Sequence, residues 1–358
     1  MAQTDIQTHE AIAWLRYVLN PEAEMPTVTD WPALIAFTEK QAINGICLPK
    51  ERPERLPKSS LLQWIGQIQL IEQQNTLLNK RVAQLFGMLE RDGFQCCLLK
   101  GQGNAMMYPN PELRSPGDID VWVNADAETV YQYVKKKFPD EQESHKHIHF
   151  PIFDDAPVDM HYTPLKIYHP AHNRILQEWL GEKKEDQMTN RTRLADTDVD
   201  VAVPTPMFNA IYQLGHIMIH IEDEGIGLRQ FVDYFYVLKA IGGAGEEEKE
   251  SIRRMWKKLG MWKLAKAVMW IEKEILGLSD EYLLATPSER TGHLLAEDIL
   301  EGGNFGHSSD REKYRRYGRF VKNISNARHM MQLSACFPGD AFFRLLAKMK
   351  NGCKMIVK

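Results

Sequence analysis

The chain has 358 residues, of which 44% are hydrophobic and 26% charged, and its formal net charge at pH 7 is −4. These proportions are ordinary for a globular protein. The length is enough for two or three domains. A mean hydropathy of −0.40 argues against a membrane span, and the first residues lack the cationic start and apolar core of a secretory signal.

The five cysteines are odd in number, irregularly spaced and without a CxxC pair. This usage predicts neither a disulfide framework nor a cysteine-based zinc site, and it favours a reducing, cytoplasmic location. The cysteines are Cys47, Cys96, Cys97, Cys336 and Cys353.

Charge is unevenly distributed along the chain. Residues 311–358 contain 12 Lys and Arg against 2 acidic residues, a balance of +10, which leaves −14 for residues 1–310. Residues 311–319 interleave cations with Tyr314 and Tyr317, a pattern typical of nucleic-acid-binding surfaces and equally of a charged helix anchored by its tyrosines. Because the rest of the chain is acidic, strong binding to duplex nucleic acid is not expected.

The N-terminal part of the chain is predicted to be helical. Apolar residues recur at helical spacing between 11 and 18, the pattern stops at Pro21, and a second helix follows at 31–41. A longer helical pattern begins near Ser59 and runs, either continuously or with one break, to Asp92-Gly93.

The periodicity then changes from helix-like to strand-like. Residues 94–99 form a short apolar run typical of a buried strand, and residues 117–123 alternate sharply between polar and apolar side chains. Residues 145–153 and 158–163 are predicted to form a hairpin. The other elements predicted here are helices at 125–138 and 172–180 and one or two short strands within 192–203.

Beyond residue 204 the pattern is helical again, so the chain is predicted to hold a small α/β core between two helical regions. The predicted division is 1–74 for the N-terminal helices, 75–204 for the core and 205–358 for a C-terminal α-helical domain. After a first helix that follows Thr205-Pro206, the helices predicted in this last part are 228–241, 246–259, 261–276, 288–301, 310–324 and 340–350.

Two carboxylates on the alternating strand carry the first chemical signal. Asp118 and Asp120 project from one face of that strand, whereas Ile119 and Val121 project from the other. Neighbouring carboxylates repel each other, and a divalent cation removes that cost; Mg²⁺ binds one or two carboxylates together with substrate phosphates. Asp159, in an alternating segment of the predicted hairpin, is the candidate third ligand. The alternative is a solvated strand face.

Basic and small residues near these carboxylates suit a phosphate ligand. Lys100-Gly101 ends the preceding strand, where glycine permits close backbone approach and lysine neutralises charge. Arg114-Ser115 stands just ahead of the carboxylates, and a guanidinium can hold a triphosphate oxygen bidentately. For either cation alone, a surface ion pair is the alternative.

In this order the residues resemble the motifs of nucleotidyltransferases with the DNA polymerase β-like core, and more closely those of a family of uncharacterised bacterial nucleotidyltransferases. The resemblance covers roughly residues 75–240. The matching residues are Leu99-Lys100-Gly101, Tyr108-Pro109, Arg114, Asp118-Ile119-Asp120-Val121-Trp122-Val123, Val158-Asp159-Met160-His161, His216, His220, Gly227-Leu228-Arg229 and Asp233.

This resemblance implies an α+β fold with a small mixed β-sheet core, flanked by N-terminal helices and a C-terminal α-helical domain. It implies transfer of a nucleoside monophosphate from an NTP such as ATP to an acceptor that the sequence does not identify: a small molecule, a protein or an RNA end. No membrane partner is expected, for the reason of hydropathy given above. Mg²⁺ or Mn²⁺ is the implied cofactor, held by the catalytic residues Asp118, Asp120 and Asp159. The candidate nucleotide-binding residues are Lys100, Gly101, Arg114, Ser115 and Arg229.

One position departs from the wider superfamily. The glycine–serine that usually follows the first strand is Gly101-Gln102 here, so the hydroxyl that would bind phosphate is missing from its expected place. A different class of function is therefore also predicted: a non-catalytic nucleotide-sensing or partner-binding module on the same fold.

The alternating histidines of the hairpin present a further candidate. His145, His147 and His149 share one strand face, and an HxH pair can supply two of three zinc ligands. A metal-dependent hydrolase using His147, His149 and His161 is one alternative, and a set of hydrogen-bonded histidines is the plainer one. If the hairpin brings Asp159 into the site, His149 or His161 is a candidate for contacting the nucleotide or acting as a base.

Further candidates lie on the helices that follow and on the central strand. His216 and His220 are four residues apart, a spacing that can chelate a metal, and Arg229 and Asp233 have the spacing of a stabilising helical pair. Polar contacts between two packed helices would also explain both pairs. The alternative for Arg229 is that a turn at residues 225–229 places its side chain near phosphates. Trp122 either stacks on a base or packs under a helix.

Overall fold

A computed structural model describes residues 2–20, 22–49, 52–142, 144–223, 225–303 and 333–356. The predicted helix at 310–324 and the basic segment 311–319 lie outside the described residues. The chain divides into two compact units. The α/β unit comprises Ile65–Lys166 and Leu176–Tyr212, and the helical unit comprises Met1–Trp64, Ile167–Ile175 and Gln213–Lys358. The division into three regions along the sequence stays a prediction.

A small mixed sheet forms the centre of the α/β unit, which confirms the predicted α+β fold class. Its strand order is β1-β2-β4-β3; β2 and β4 are parallel, and the two outer pairings are antiparallel. The strands are β1 (Cys96–Leu98), β2 (Ile119–Val123), β3 (His147–His149) and β4 (Val158–His161).

Strand β2 is buried on both faces. Ile119, Val121 and Val123 are at most 1% exposed and belong to the apolar core of the unit, as the alternating pattern predicts. Asp120 and Trp122 point to the opposite face and are also buried, each 2% exposed. A charged residue in so buried a place requires partners, because an unpaired buried charge is costly.

The helices around this sheet start and stop at residues with a local physical reason. Helix α3 (Lys58–Arg91) is continuous and ends before Gly93, which has a φ of +89°. In α5 (Ala127–Lys137), the Asp126 side chain accepts a hydrogen bond from the Thr129 backbone N–H, and cations occupy the last turn. The unit also contains α4 (Gln102–Ala105), the short helix Pro111–Leu113 and the strand pair β5 (Arg191–Arg193) and β6 (Asp200–Ala202).

Helix α6 (Pro170–Thr189) is longer than the predicted 172–180. The apolar periodicity stops at Leu180, but the residues that follow are rich in Glu and Lys, which are good helix formers without an apolar stripe. The extra turns are therefore favoured by backbone propensity, and near their end Gln187 and Met188 are buried.

The helical unit packs around large buried aromatic residues. The helices that contribute to it are α1 (Ala2–Leu19), α2 (Trp31–Lys40), α7 (Pro206–Asp223), α8 (Leu228–Ile241), α9 (Glu246–Lys258), α10 (Trp262–Trp270), α11 (Glu289–Gly302) and α12 (Pro338–Ile356). Trp14, Phe231, Phe235 and Trp256 are at most 1% exposed. The predicted helix at 261–276 does not stay α-helical, because its last turn, Ile271–Ile275, is a π-helix.

Asp340 at the start of α12 joins this helix to the segment 167–175 of the same unit. Its carboxylate accepts hydrogen bonds from the backbone N–H groups of Tyr168 at 3.1 Å and His169 at 2.6 Å.

None of the described helices combines the length and apolar character needed to cross a membrane.

Candidate active site

Three carboxylates meet where β2 and β4 run side by side. The parallel register pairs Asp120 directly with Asp159, and Asp118 immediately precedes β2. One carboxylate oxygen from each of the three residues lies within 4.8 Å of the others. The sheet therefore brings together the three predicted metal ligands, and oxygen donors at this spacing suit a hard divalent cation such as Mg²⁺.

Asp120 is the most enclosed of the three and has two polar partners. Its Oδ2 lies 2.8 Å from Lys100 Nζ, and its Oδ1 lies 2.8 Å from His161 Nε2. Burial raises the pKa of Asp120, but the Lys100 charge and the His161 hydrogen bond more than offset this, so its pKa lies well below the usual range. Asp120 is therefore ionised in the absence of any metal.

Asp118 experiences the opposite shift. The negative charge of Asp120, together with burial, raises the pKa of Asp118. Asp118, Asp120 and Asp159 with the Lys100 ammonium carry a formal charge of −2, which is the charge that one divalent cation neutralises. The donor chemistry and the charge of the cluster both fit Mg²⁺ or Mn²⁺.

Gly101 shapes the turn between β1 and the carboxylates. Its backbone has φ +55° and ψ −114°, and a Cβ there would lie 3.1 Å from the Asp118 carbonyl oxygen. The glycine is thus required for the close approach of this turn to the chain's own backbone, a reason that the sequence pattern did not reveal. Its contact with phosphate stays a prediction.

Gln102 occupies the place of the serine expected in the wider superfamily. It is 4% exposed, and its Nε2 donates to Asn79 Oδ1 on α3 at 2.7 Å. The side chain therefore ties α4 to α3 and supplies no hydroxyl to the carboxylate cluster.

Arg114 and Ser115 lie in the loop before β2 and are buried, being 5% and 9% exposed. This burial is incompatible with the surface ion pair considered for Arg114. Asn75 on α3 holds the loop, because its Nδ2 donates to the carbonyl oxygens of Glu112 at 2.7 Å and Arg114 at 2.8 Å.

The hairpin histidines face Asp159 and Asp120. The register pairs His147 with His161 and His149 with Asp159. His149 Nδ1 lies 3.4 Å from Asp159 Oδ1, and His147 Nε2 lies 3.6 Å from Asp159 Oδ2. Burial lowers the pKa of His147 to about 4, so this imidazole is neutral at pH 7. The candidates His149 and His161 both contact a carboxylate of the cluster.

Tyr212 is a neighbour of the cluster that sequence reasoning did not single out. It is 1% exposed, and burial together with the charges of Asp120 and Asp118 raises its pKa far above the usual range. In the sequence it falls among the apolar residues of α7 and is indistinguishable from a core position, so no local pattern identifies it.

The remaining candidates divide between the two units. His216, His220 and Arg229 belong to the helical unit, where the Nε2 atoms of the two histidines lie 3.1 Å apart on α7 and Arg229 stands at the start of α8. Their roles stay predictions. Trp122, in the α/β unit, packs as core: its ring stacks on Phe208 with centroids 5.9 Å apart, so it is not an exposed base-stacking surface.

Comparison with known families supports what this geometry indicates. The family described as uncharacterised nucleotidyltransferase matches residues 27–277, and the chain belongs to this family. Membership implies a nucleotide substrate, and nucleotidyltransferases typically use divalent metals.

No curated protein matches the chain. Among solved structures, an antigenic nucleotidyltransferase-like protein from Paracoccidioides brasiliensis is 14% identical; the match covers 60% of this chain and 96% of that one, with a TM-score of 0.35.

Proposed function

We propose that the protein is a Mg²⁺-dependent nucleotidyltransferase of the DNA polymerase β-like superfamily, acting on an NTP and an acceptor in the cytoplasm. The observation that carries this proposal is the cluster of Asp118, Asp120 and Asp159 beside the Lys100 ammonium. Carboxylates on a solvated surface need no third carboxylate and no ammonium beside them. Transfer of a nucleotidyl group, in contrast, depends on cations held close to the phosphates.

The three carboxylates have distinct roles in this proposal. Asp118 and Asp120 would hold the metal ions, which supply charge stabilisation for the phosphates. Asp159 would help to hold the second ion and accept the proton of the acceptor group. The acceptor oxygen bonds to the α-phosphorus as the bond from that phosphorus to the bridging oxygen breaks, and pyrophosphate leaves.

Lys100 would change partners when the substrate binds. Its ammonium pairs with Asp120 Oδ2 at 2.8 Å, an oxygen that a metal ion would also use. Asp120 would hold a divalent ion through its carboxylate, and the ion would supply the positive charge that Lys100 supplies in its absence. The Lys100 ammonium, released from Asp120, would then contact the triphosphate together with Gly101, Arg114 and Ser115, and a nucleotide-binding role for Arg229 stays a prediction.

The test is a thermal-shift panel of the four NTPs with Mg²⁺, followed by label transfer from an α-labelled NTP across candidate acceptors. A bound ligand raises the melting temperature by mass action, so the panel also identifies the preferred base. The double variant D118N/D120N should remove both the Mg-NTP shift and any transfer. The same change at the exposed Asp198, in D198N, should leave both unaffected. Absence of both Mg-NTP binding and label transfer in the unmodified protein would contradict the proposal.

A second candidate is the non-catalytic nucleotide-sensing or partner-binding module. Two observations favour it: Lys100 already neutralises Asp120, and Gln102 is committed to Asn79 where a phosphate-binding hydroxyl is expected. This candidate predicts nucleotide binding that survives D159N and is never accompanied by label transfer. Transfer of label that is lost in D159N would decide for the enzyme.

A further inference from the structure

A second group of metal-ligand side chains lies along the sheet next to the carboxylate cluster. His147, Asp159 and His161 stand on the adjacent antiparallel strands β3 and β4, and the register pairs His147 directly with His161. One ligand atom from each of the three residues lies within 4.8 Å of the others. The two groups share Asp159, but the donors of this one are mostly nitrogen.

The ring nitrogens of His161 are arranged as those of a metal-binding histidine. His161 is 2% exposed, and its Nε2 lies 2.8 Å from the Asp120 carboxylate, so a ring N–H at Nε2 would leave the lone pair on Nδ1. The Nδ1 atom of His161 is buried and has no hydrogen-bond partner within the part of the chain that the structure describes. In metal-binding histidines, one ring N–H commonly donates to a carboxylate while the other ring nitrogen binds the metal.

We propose that His147, Asp159 and His161 form a binding site for a borderline first-row divalent ion of the zinc class, adjacent to the carboxylate cluster and sharing Asp159 with it. Two imidazoles and one carboxylate select such ions over Mg²⁺, which prefers oxygen donors and retained water. Three protein ligands leave a fourth position open for water or another group. This site goes beyond the proposed function, since it requires no nucleotidyl transfer.

The spacing of one donor pair is close to what such an ion needs. Ligand atoms around a tetrahedral zinc stand about 3.4 Å apart, as follows from metal–ligand distances near 2.1 Å. His147 Nε2 and Asp159 Oδ2 are already 3.6 Å apart. His149, whose Nδ1 lies 3.4 Å from Asp159 Oδ1, would orient the shared carboxylate from outside the ligand set.

The experiment uses the full chain, stripped of metal and titrated with Co²⁺ as a spectroscopic substitute for Zn²⁺. We expect the visible absorption of low-coordinate Co²⁺, saturating at one ion per chain and displaced by Zn²⁺. H147Q and H161Q should each weaken the affinity by at least roughly tenfold, because each removes a ligand. H145Q makes the same change in an exposed histidine just outside β3 and should bind like the unmodified chain.

Two further variants separate this site from the proposed active site. D118N should keep the Co²⁺ absorption while losing the Mg-NTP shift, whereas H147Q should keep Mg-NTP stabilisation while losing Co²⁺ affinity. Since His161 is almost fully buried, folding of H161Q is checked by circular dichroism; H147Q, with a side chain 24% exposed, carries the test if H161Q does not fold.

Either of two results would overturn the proposal. The first is the absence of the Co²⁺ absorption and of Zn²⁺ binding in the unmodified chain. The second is an affinity that is unchanged in H147Q but lost in D118N, which would assign the bound ion to the carboxylate cluster alone.

Discussion

At the scale of single residues, the buried charge of Asp120 illustrates how this site is stabilised without metal. Its side chain is 3% exposed and has one cation and one histidine as neighbours. Removing one member of such a pair leaves an uncompensated charge in a poorly solvated place, which costs more than the pair itself contributes. The stability of the α/β unit should therefore depend on Lys100.

We expect K100M to lower the free energy of unfolding by about 3 kcal/mol, because the Asp120 charge loses its main counter-ion. Urea unfolding measures the loss. The variant K100M/D120N should recover most of it, and under the proposed function added Mg²⁺ should recover part of it in K100M alone. If the K100M change lowers the free energy of unfolding as much in D120N as in the unmodified chain, Lys100 acts only through packing.

Glu272 is a second buried carboxyl group, and it lies in the π-helical turn of the helical unit. It is 0% exposed, and neither carboxylate oxygen has a hydrogen-bond partner among the described residues. Burial raises the pKa of Glu272 well above its usual range. The folded chain therefore favours the protonated form of Glu272. The stability of the folded state that depends on this proton is fully present below the ordinary carboxyl pKa of about 4.3, and it is lost as the pH rises toward the raised pKa.

E272Q should consequently gain stability relative to the unmodified chain as the pH rises. The neutral amide has the shape of the protonated acid, so the two proteins should have similar urea midpoints near the ordinary carboxyl pKa and diverge at pH 8. The matched control is E274Q, an exposed glutamate of the same turn, which should show no such divergence. A pH-independent difference for E272Q would contradict the buried-acid explanation.

At the scale of secondary-structure elements, α3 supports the loop that carries Arg114 and Ser115. Asn75 is 1% exposed and donates to two loop carbonyls, so a single side chain of the helix positions the backbone ahead of β2. The helical periodicity of the sequence predicts α3, but it does not mark Asn75, which looks like any polar residue of a long helix.

N75A should destabilise the protein by about 1–3 kcal/mol, because it removes this donor from the buried carbonyl of Arg114 and the partly buried carbonyl of Glu112. Under the proposed function it should also reduce the Mg-NTP thermal shift, since the loop would no longer be held in place. Q73A alters an exposed residue of the same helix and should do neither. An N75A protein of unchanged stability would show that the loop is held by other contacts.

At the scale of the whole molecule, both units are built from discontinuous segments. The chain leaves the α/β unit after residue 166, returns at 176 and leaves again after 212. A continuous fragment that contains the α/β unit therefore also contains residues 167–175 of the helical unit, so ligand effects should be mapped in the full chain.

We expect Mg²⁺ with the preferred NTP to slow hydrogen exchange at residues 96–123 and 147–161, which carry the sheet and the carboxylates. Mass spectrometry of peptides from the full chain measures this. Slowed exchange at residues 225–233 as well would support Arg229 as a phosphate contact. Protection absent from 96–123 would place the nucleotide elsewhere and contradict the proposed site.

The charge distribution also belongs to this scale. The −14 of residues 1–310 includes the three clustered carboxylates, whose charge a metal would neutralise, whereas the +10 belongs to residues 311–358, which the structure describes only in part. A net charge of −4 therefore does not argue against a nucleotide ligand. That the basic region contacts a polyanionic acceptor stays a prediction.

The sequence by itself determined the features that depend on local periodicity. Side chains alternate along a strand, so the pattern around Asp118 and Asp120 predicts β2 and its two faces without reference to the rest of the chain. The same reasoning predicts α3, α5 and α8, whose apolar stripes and end residues are local signals.

Only the tertiary structure decided which of these residues meet. The pairing of Asp120 with Asp159, the position of His147 opposite His161 and the attachment of Gln102 to Asn79 all join residues distant in sequence. A shift of strand register by one residue would turn each side chain to the other face of the sheet. The register between two strands depends on the packing of the whole sheet. The sequence pattern of one strand therefore does not determine which residue it pairs with on its neighbour.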